Sequence, residues 1–158
     1  MQKIKDAAAE FLAQRRIAVT GVSRSGTSHG ANVVYQRLRQ RGYEVFAVNP
    51  NADTVEGDHS YPDLRSIEGG VDGVILGTRP DRDMDTLREC VALGIKRVWM
   101  HRGPGQGSVS PEAAQYGRDN GVIVIDGGCP LMFGPTADGG HKVMRAVMTL
   151  TGAVPRKV

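Results

Sequence analysis

Three glycines, Gly21, Gly26 and Gly30, follow the apolar run IAVT and precede ANVVYQRL, and between them stand Ser23, Arg24, Ser25, Thr27, Ser28 and His29. A glycine-rich turn between a strand and a helix leaves backbone N–H groups pointing outward, and the helix dipole adds partial positive charge. The chemistry this serves is anion binding, phosphate above all. The spacing is G-x4-G-x3-G, not the G-x-G-x-x-G of the usual dinucleotide folds. In those folds an Asp or Glu near the end of the second strand takes the ribose hydroxyls. Here the second strand, Glu44–Val48, runs into Asn49-Pro50-Asn51, and the nearest acid, Asp53, lies further on. Hydroxyls and Arg24 replace the third close glycine, a set suited to a phosphate-rich ligand.

Further polar groups follow later apolar runs. These are Thr78-Arg79-Pro80, His101-Arg102-Gly103, and the irregular GGCPLMFGPTADGG around Cys129. Arg24, Arg79, Arg102, His29 and His101 together could make several phosphate contacts. Candidate general acids and bases are few. Cys129 beside Pro130 is a nucleophile only if a base reaches it, and a buried structural thiol is the simpler reading. His101 and His29 are isolated histidines, which more often pack or meet solvent than catalyse. His59 reads as loop surface, and Met132, Met144 and Met148 as packing.

These loops need a scaffold that brings them to one edge. Apolar runs at 17–20, 44–48, 72–77, 97–101 and 122–126 alternate with helical stretches, an amphipathic one between the first two runs and others at about 81–93, 111–120 and 141–150. Pro111 suits a first helical turn, and Gly94 and Gly121 close helices. Continuous apolar strands alternating with helices predict an α/β fold, Rossmann-like and doubly wound, with a mainly parallel five-stranded sheet covered on both faces. Ligands of such sheets collect at the carboxyl ends of the strands, near the point where strand order reverses. The expected organisation is one domain over 1–158, with an N-terminal helix at about 2–14 and a C-terminal helical extension at about 139–152.

Composition narrows the function classes. A hydrophobic content of 40% and a charged content of 23% are those of a soluble globular chain, and no run approaches the roughly 20 apolar residues of a membrane span. The N-terminal MQKIKDAAAEFLAQRR carries Asp6, Glu10 and an Arg pair, which suits an amphipathic helix better than a signal peptide, so cytoplasmic residence is the default. A net charge of +3 with few aromatics argues against nucleic acid. Cys90 and Cys129 have no metal-ligand spacing and read as free thiols.

Read in order, the segments resemble a known family, the small stand-alone CoA-binding proteins, whose domain is similar to the nucleotide-binding half of the succinyl-CoA synthetase α subunit. AVTGVSRS resembles its V-G-x-S-R turn, GYEVFAVNP its second strand and N-P end, VDGVILGTRP its third-strand segment, GIKRVWMHRG its fourth with the exit glycine, and GGCP its fifth-strand end. The resemblance implies coenzyme A, or a short acyl-CoA, held across the strand ends. Its phosphates would lie at Gly21, Val22, Ser23, Arg24, Ser25 and Gly26, its adenosine end near Asn49, Pro50, Arg79 and Pro80, and its pantetheine arm toward His101 and Gly103. Asn51 departs from the Lys or Arg that related domains often carry there. The synthetase reaction needs a phosphorylated His on a following domain and an ATP-grasp partner, for which this chain has no room. The expected role is therefore a carrier, sensor or regulatory module, with a homodimer or an unidentified protein partner left open. The alternatives are a small NAD(P)-binding oxidoreductase-like protein, or an acyl-CoA-handling enzyme using Cys129 or His101.

Overall fold

A computed structural model describes residues 2–25, 30–103, 107–134 and 139–158. Strands β1 (Arg16–Thr20), β2 (Glu44–Val48), β3 (Thr54–Val55), β4 (Asp58–Tyr61), β5 (Gly73–Leu76), β6 (Arg97–Met100) and β7 (Ile123–Asp126) form one sheet in the order β3-β4-β2-β1-β5-β6-β7. All neighbours are parallel except the β3–β4 pair. After β2 and the β3–β4 hairpin the chain crosses back to the other side of β1, so strand order reverses between β1 and β5. The doubly wound expectation holds, but the sheet has seven strands, not five. The two extra strands are a short polar hairpin whose corner, Glu56-Gly57, takes positive φ at both residues (51° and 80°). Such a pair matches the twist of a two-residue hairpin.

Side-chain alternation divides the core cleanly. Ile17, Val19, Ile75, Trp99 and Ile125 face the layer of helices α1 (Ile4–Leu12), α2 (Gly30–Gln40) and α5 (Gly139–Leu150), whereas Ala18, Val74, Leu76, Val98, Met100 and Val124 face α3 (Pro80–Ala92) and α4 (Pro111–Asp119). Successive strand residues point to opposite faces, so each central strand supplies both cores. Trp99 anchors the first layer, fully buried, with Phe11 edge-on at 5.5 Å, Phe133 at 5.5 Å, and its indole N–H donating to the Gly127 carbonyl at 3.0 Å. Cys90 lies in the second core, where burial pushes its thiol up to about 12. It is chemically inert there.

Local signals start the helices. Pro80 and Pro111 occupy first turns, and the Ser110 hydroxyl accepts from the Ala113 N–H at 3.3 Å. The C-terminal segment is ordered by its contact with the N-terminus. Gln2 N–H donates to the Val158 carbonyl at 3.1 Å, Val158 N–H returns a bond to Gln2 at 2.9 Å, and Ile4 N–H reaches the Arg156 carbonyl at 3.1 Å. No helix among the described residues is long and apolar enough to cross a membrane.

Candidate functional site

Two openings meet at the carboxyl ends of β1 and β5. The larger groove, about 560 Å³, runs over the β2 end and is lined by Ser23, Asn49, Pro50 and Arg82 among others. The second, about 480 Å³, lies between the α2 N-terminus and the loops after β5, β6 and β7, and is lined by Arg79, His101, Gly103, Cys129, Leu131 and Met144 among others. Gly21 and Thr78 border both, so they form the ridge between the two openings.

That ridge is as thin as backbone allows. Gly21 has φ +76°, and a Cβ on it would fall 2.4 Å from the Gly77 carbonyl oxygen; a Cβ on Gly77 would fall 2.5 Å from the Ala31 Cβ and 2.6 Å from the Thr20 carbonyl oxygen. Only glycine tolerates both the conformation and the approach. A hydroxyl chain runs beneath. Gly77 N–H donates to Thr20 Oγ1 at 3.1 Å, Thr20 and Thr78 hydroxyls lie 3.4 Å apart, and Thr78 donates to Asp83 Oδ1 at 3.2 Å. Asp83 is fully buried, and its Oδ2 has no hydrogen-bond partner among the described residues. Burial, reinforced by the charge of Asp81 and opposed by the Thr78 bond, pushes this carboxyl up to about 7.

The turn after β1 is held from two sides. The buried Asn32 accepts from Ser23 N–H at 2.8 Å and donates to the Ser23 carbonyl at 2.9 Å and to Glu56 Oε1 at 2.6 Å. Hydrogen bonds from Asn32 and Gln36 hold the Glu56 carboxylate below its usual range. Asn49 donates to the Val22 carbonyl at 3.0 Å and accepts from Asn51 N–H at 2.8 Å. Ser25 N–H bonds the Ser23 hydroxyl at 3.2 Å. The N–H groups of Ser23 and Ser25 are thus taken by the Asn32 side chain and the Ser23 hydroxyl, not left outward and unpaired.

The candidate residues therefore separate. Gly21, Arg79, His101 and Gly103 line the second cavity, and Gly21, Ser23, Asn49 and Pro50 line the groove. Val22 is buried in the core and offers backbone only. Arg24 and Ser25 lie exposed on the turn, Pro80 opens α3, and Gly26 lies outside the described residues, as does His29. His101 is fixed through its backbone, donating to the Leu76 carbonyl at 3.0 Å and accepting from Ser108 N–H at 2.8 Å. Its ring stands over the start of α2, where a Cβ on Gly30 would fall 2.8 Å from Cε1. Burial lowers this imidazole to about 4, so it is neutral at neutral pH. A neutral imidazole there offers a hydrogen bond to a ligand without bringing it charge.

Several lining residues were not in the sequence-based set: Thr78, Val33, Val34, Leu131, His141 and Met144. Thr78 lay inside a loop already singled out. Met144 and His141 come from α5, which covers one side of the cavity, so the half-buried Met144 packs against the core and lines the cavity as well. The groove also brings in acids that a linear reading of β2 misses, Asp63, Asp85 and Glu89. Asp63 caps its own turn by accepting from Ser66 N–H at 2.9 Å, and Glu89 accepts from Arg65 N–H at 3.0 Å.

The strand-end position, the switch-point ridge and the two-part opening are those of a nucleotide-type ligand site, and residues 15–135 match the family described as "CoA binding domain". The chain belongs to the CoA-binding domain family. This CoA-binding domain is 31% identical over 113 residues to the Bacillus subtilis protein YneT, described as uncharacterized, covering 70% of the chain and 78% of YneT. It is 33% identical over 84 residues to an ADP-forming acetate–CoA ligase of Archaeoglobus fulgidus, covering 52% of the chain but 12% of the ligase. The CoA-binding domain thus corresponds to a small part of that enzyme. A solved structure of a hypothetical protein from Pyrococcus horikoshii shares the fold at TM-score 0.73 and 24% identity, covering 92% of this chain and 97% of that one.

Proposed function

We propose that the chain binds coenzyme A, or a short acyl-CoA, across the β1–β5 ridge, as one domain acting as a carrier, sensor or regulatory module in the cytoplasm. The observation that carries this reading is the pair of openings sharing Gly21 and Thr78. CoA has a phosphorylated nucleotide end and a long thin arm. The polar groove suits the first, while the second cavity, with Val33, Val34, Leu131 and Met144 in its wall, suits the arm. The pyrophosphate crosses beside the Ser23–Ser25 turn, with Arg24 and Arg79 as its cations. His101, neutral and at the α2 N-terminus, orients the arm without charging the site. Asn49 acts as a positioning residue, because both of its amide atoms are engaged in holding the turn and the β2 exit.

Calorimetric titration of ligand-stripped protein with CoA, acetyl-CoA and NAD in parallel tests this. CoA binding without NAD binding is the expected result. NAD binding without CoA would overturn it, and would give the groove acids Asp63 and Asp85 the role of ribose partners.

A second reading rests on Cys129 and His101 lining the same cavity. In an acyl-CoA-handling enzyme they would serve as nucleophile and neutral base. Turnover of acetyl-CoA abolished by Cys129→Ala would establish it; unchanged acetyl-CoA levels with the unaltered protein would dismiss it.

A further inference from the structure

Among the described residues Glu56 is the one non-glycine with positive φ, 51°. A side chain there crowds its own backbone, and such a conformation persists where surrounding contacts impose it. The contacts come from one face of α2. Asn32, Tyr35, Gln36 and Arg39, spaced i, i+3, i+4 and i+7, all turn donors toward the β3–β4 hairpin. Asn32 Nδ2 donates to Glu56 Oε1 at 2.6 Å, Gln36 Nε2 to Oε2 at 2.5 Å and Arg39 Nη1 to the Glu56 carbonyl at 3.0 Å. Tyr35 and Arg39 both donate to Asp58 Oδ2 at 2.6 Å. As a piece of sheet the hairpin is slight, two residues of β3 on β4. What it delivers is a carboxylate to a buried amide.

That amide has two orientations, and Glu56 admits one of them. An ionised carboxylate only accepts hydrogen bonds, so the Asn32 amide must present its nitrogen to Oε1. Nδ2 then gives its second proton to the Ser23 carbonyl at 2.9 Å, and Oδ1 is left to receive the Ser23 N–H at 2.8 Å. The flipped amide would set oxygen against carboxylate and nitrogen against the Ser23 N–H. Glu56 itself lines neither strand-end opening, whereas Ser23 lines the groove. On the reading that CoA lies beside the Ser23–Ser25 turn, we propose that Glu56 is a positioning residue for its phosphates, acting through Asn32. With Glu56 in place the turn is set before the ligand arrives, so no binding energy goes to ordering it.

Glu56→Gly and Glu56→Gln separate this role from a structural one. Glycine takes the φ of 51° without crowding but removes the carboxylate, whereas glutamine keeps an oxygen for Asn32. In the ligand-free chain the Ser23 amide should exchange its hydrogen about tenfold faster in Glu56→Gly, and within about twofold of the unaltered rate in Glu56→Gln. CoA affinity by calorimetry should follow the same pattern, about tenfold weaker in the glycine variant and within about threefold in the glutamine variant. Tm should stay within about 3 °C in both, because relief of φ offsets the lost hydrogen bonds in the glycine variant. Unchanged Ser23 exchange in Glu56→Gly overturns the proposal, as does unchanged CoA affinity, or a loss in Glu56→Gln equal to that in Glu56→Gly. A fall in affinity that accompanies a Tm loss beyond about 10 °C would mark a structural role and overturn it too. If the unaltered chain binds no CoA, the CoA reading fails and inorganic pyrophosphate is the probe in its place. Binding weakened about tenfold by Glu56→Gly then supports the role of Glu56, and equal binding or none overturns it.

Discussion

A Cβ on Gly21 would stand 2.4 Å from the carbonyl oxygen of Gly77, so the loops leaving β1 and β5 touch backbone to backbone where strand order reverses. Gly21→Ala adds a clash to a φ of +76° that an L side chain rarely takes. It should cost about 2–4 kcal/mol and lower Tm by roughly 5–15 °C. A Tm within about 2 °C of the unaltered protein would mean the ridge can relax, and the argument for its rigidity would fall.

Asn32 is the residue on which the turn hangs, with three hydrogen bonds from a fully buried side chain. Asn32→Leu leaves the Ser23 N–H and carbonyl without that partner, at a cost of about 2–4 kcal/mol. CoA affinity should fall with it, because Ser23–Ser25 lose their anchor. Retained affinity in a correctly folded variant would detach the turn from the ligand.

Arg24 and Arg79 are exposed, and among the described residues Arg79 has a loose 3.5 Å pairing with the exposed Asp81. Replacing either by Ala should leave stability within about 0.5 kcal/mol. If each meets a phosphate, CoA should weaken by about 1.5–3 kcal/mol. Calorimetry on the two variants separates these effects; unchanged affinity removes that arginine from the site.

Asp83 and His101 push the pH dependence of stability in opposite directions. The folded Asp83 carboxyl titrates near 7 against an ordinary 3.8. Its favourable contribution is complete at the acid end and is lost as pH rises toward 7, with a slope of at most about 1.4 kcal/mol per pH unit. Asp83→Asn cannot ionise, so its stability relative to the unaltered chain should climb across that window. Urea unfolding at several pH values reads this directly, and a flat difference would mean Asp83 is ionised as easily as in water.

For His101 the folded value is near 4 against an ordinary 6.5. The unfolded chain takes up the proton first, so stability falls as pH drops from 6.5 toward 4. His101→Asn should flatten that decline. An NMR titration placing His101 above about 6 would contradict its neutrality.

The central strands and the helices between them were legible because each is an apolar run or an amphipathic stretch bounded by Gly or Pro. Glu44–Val48 could be read to the residue, while Gly73–Leu76 came out a residue shorter at each end than the run around it. The β3–β4 hairpin was not legible, because DHSY has no alternation and its corner has Glu56 in a conformation favouring Asn or Gly. At the site, strand-end loops announced themselves by composition, and Thr78 came with them. Asn32 and Asp83 did not. Each is one polar residue among several in its helix, and only tertiary packing buries it. The acids of the groove were equally hidden, since Asp63 reaches the β2 end through pairing of β2 with β4, a contact no local pattern encodes.

The backbone pairing between Gln2 and Val158 brings the two ends of the chain side by side, far in sequence and adjacent in space. A segment whose residues 2 and 158 pair in this way can be spliced into a surface loop of another protein as a plug-in unit, or re-cut at an exposed corner such as Gly69-Gly70 with those two positions joined, without unpicking any strand of the sheet.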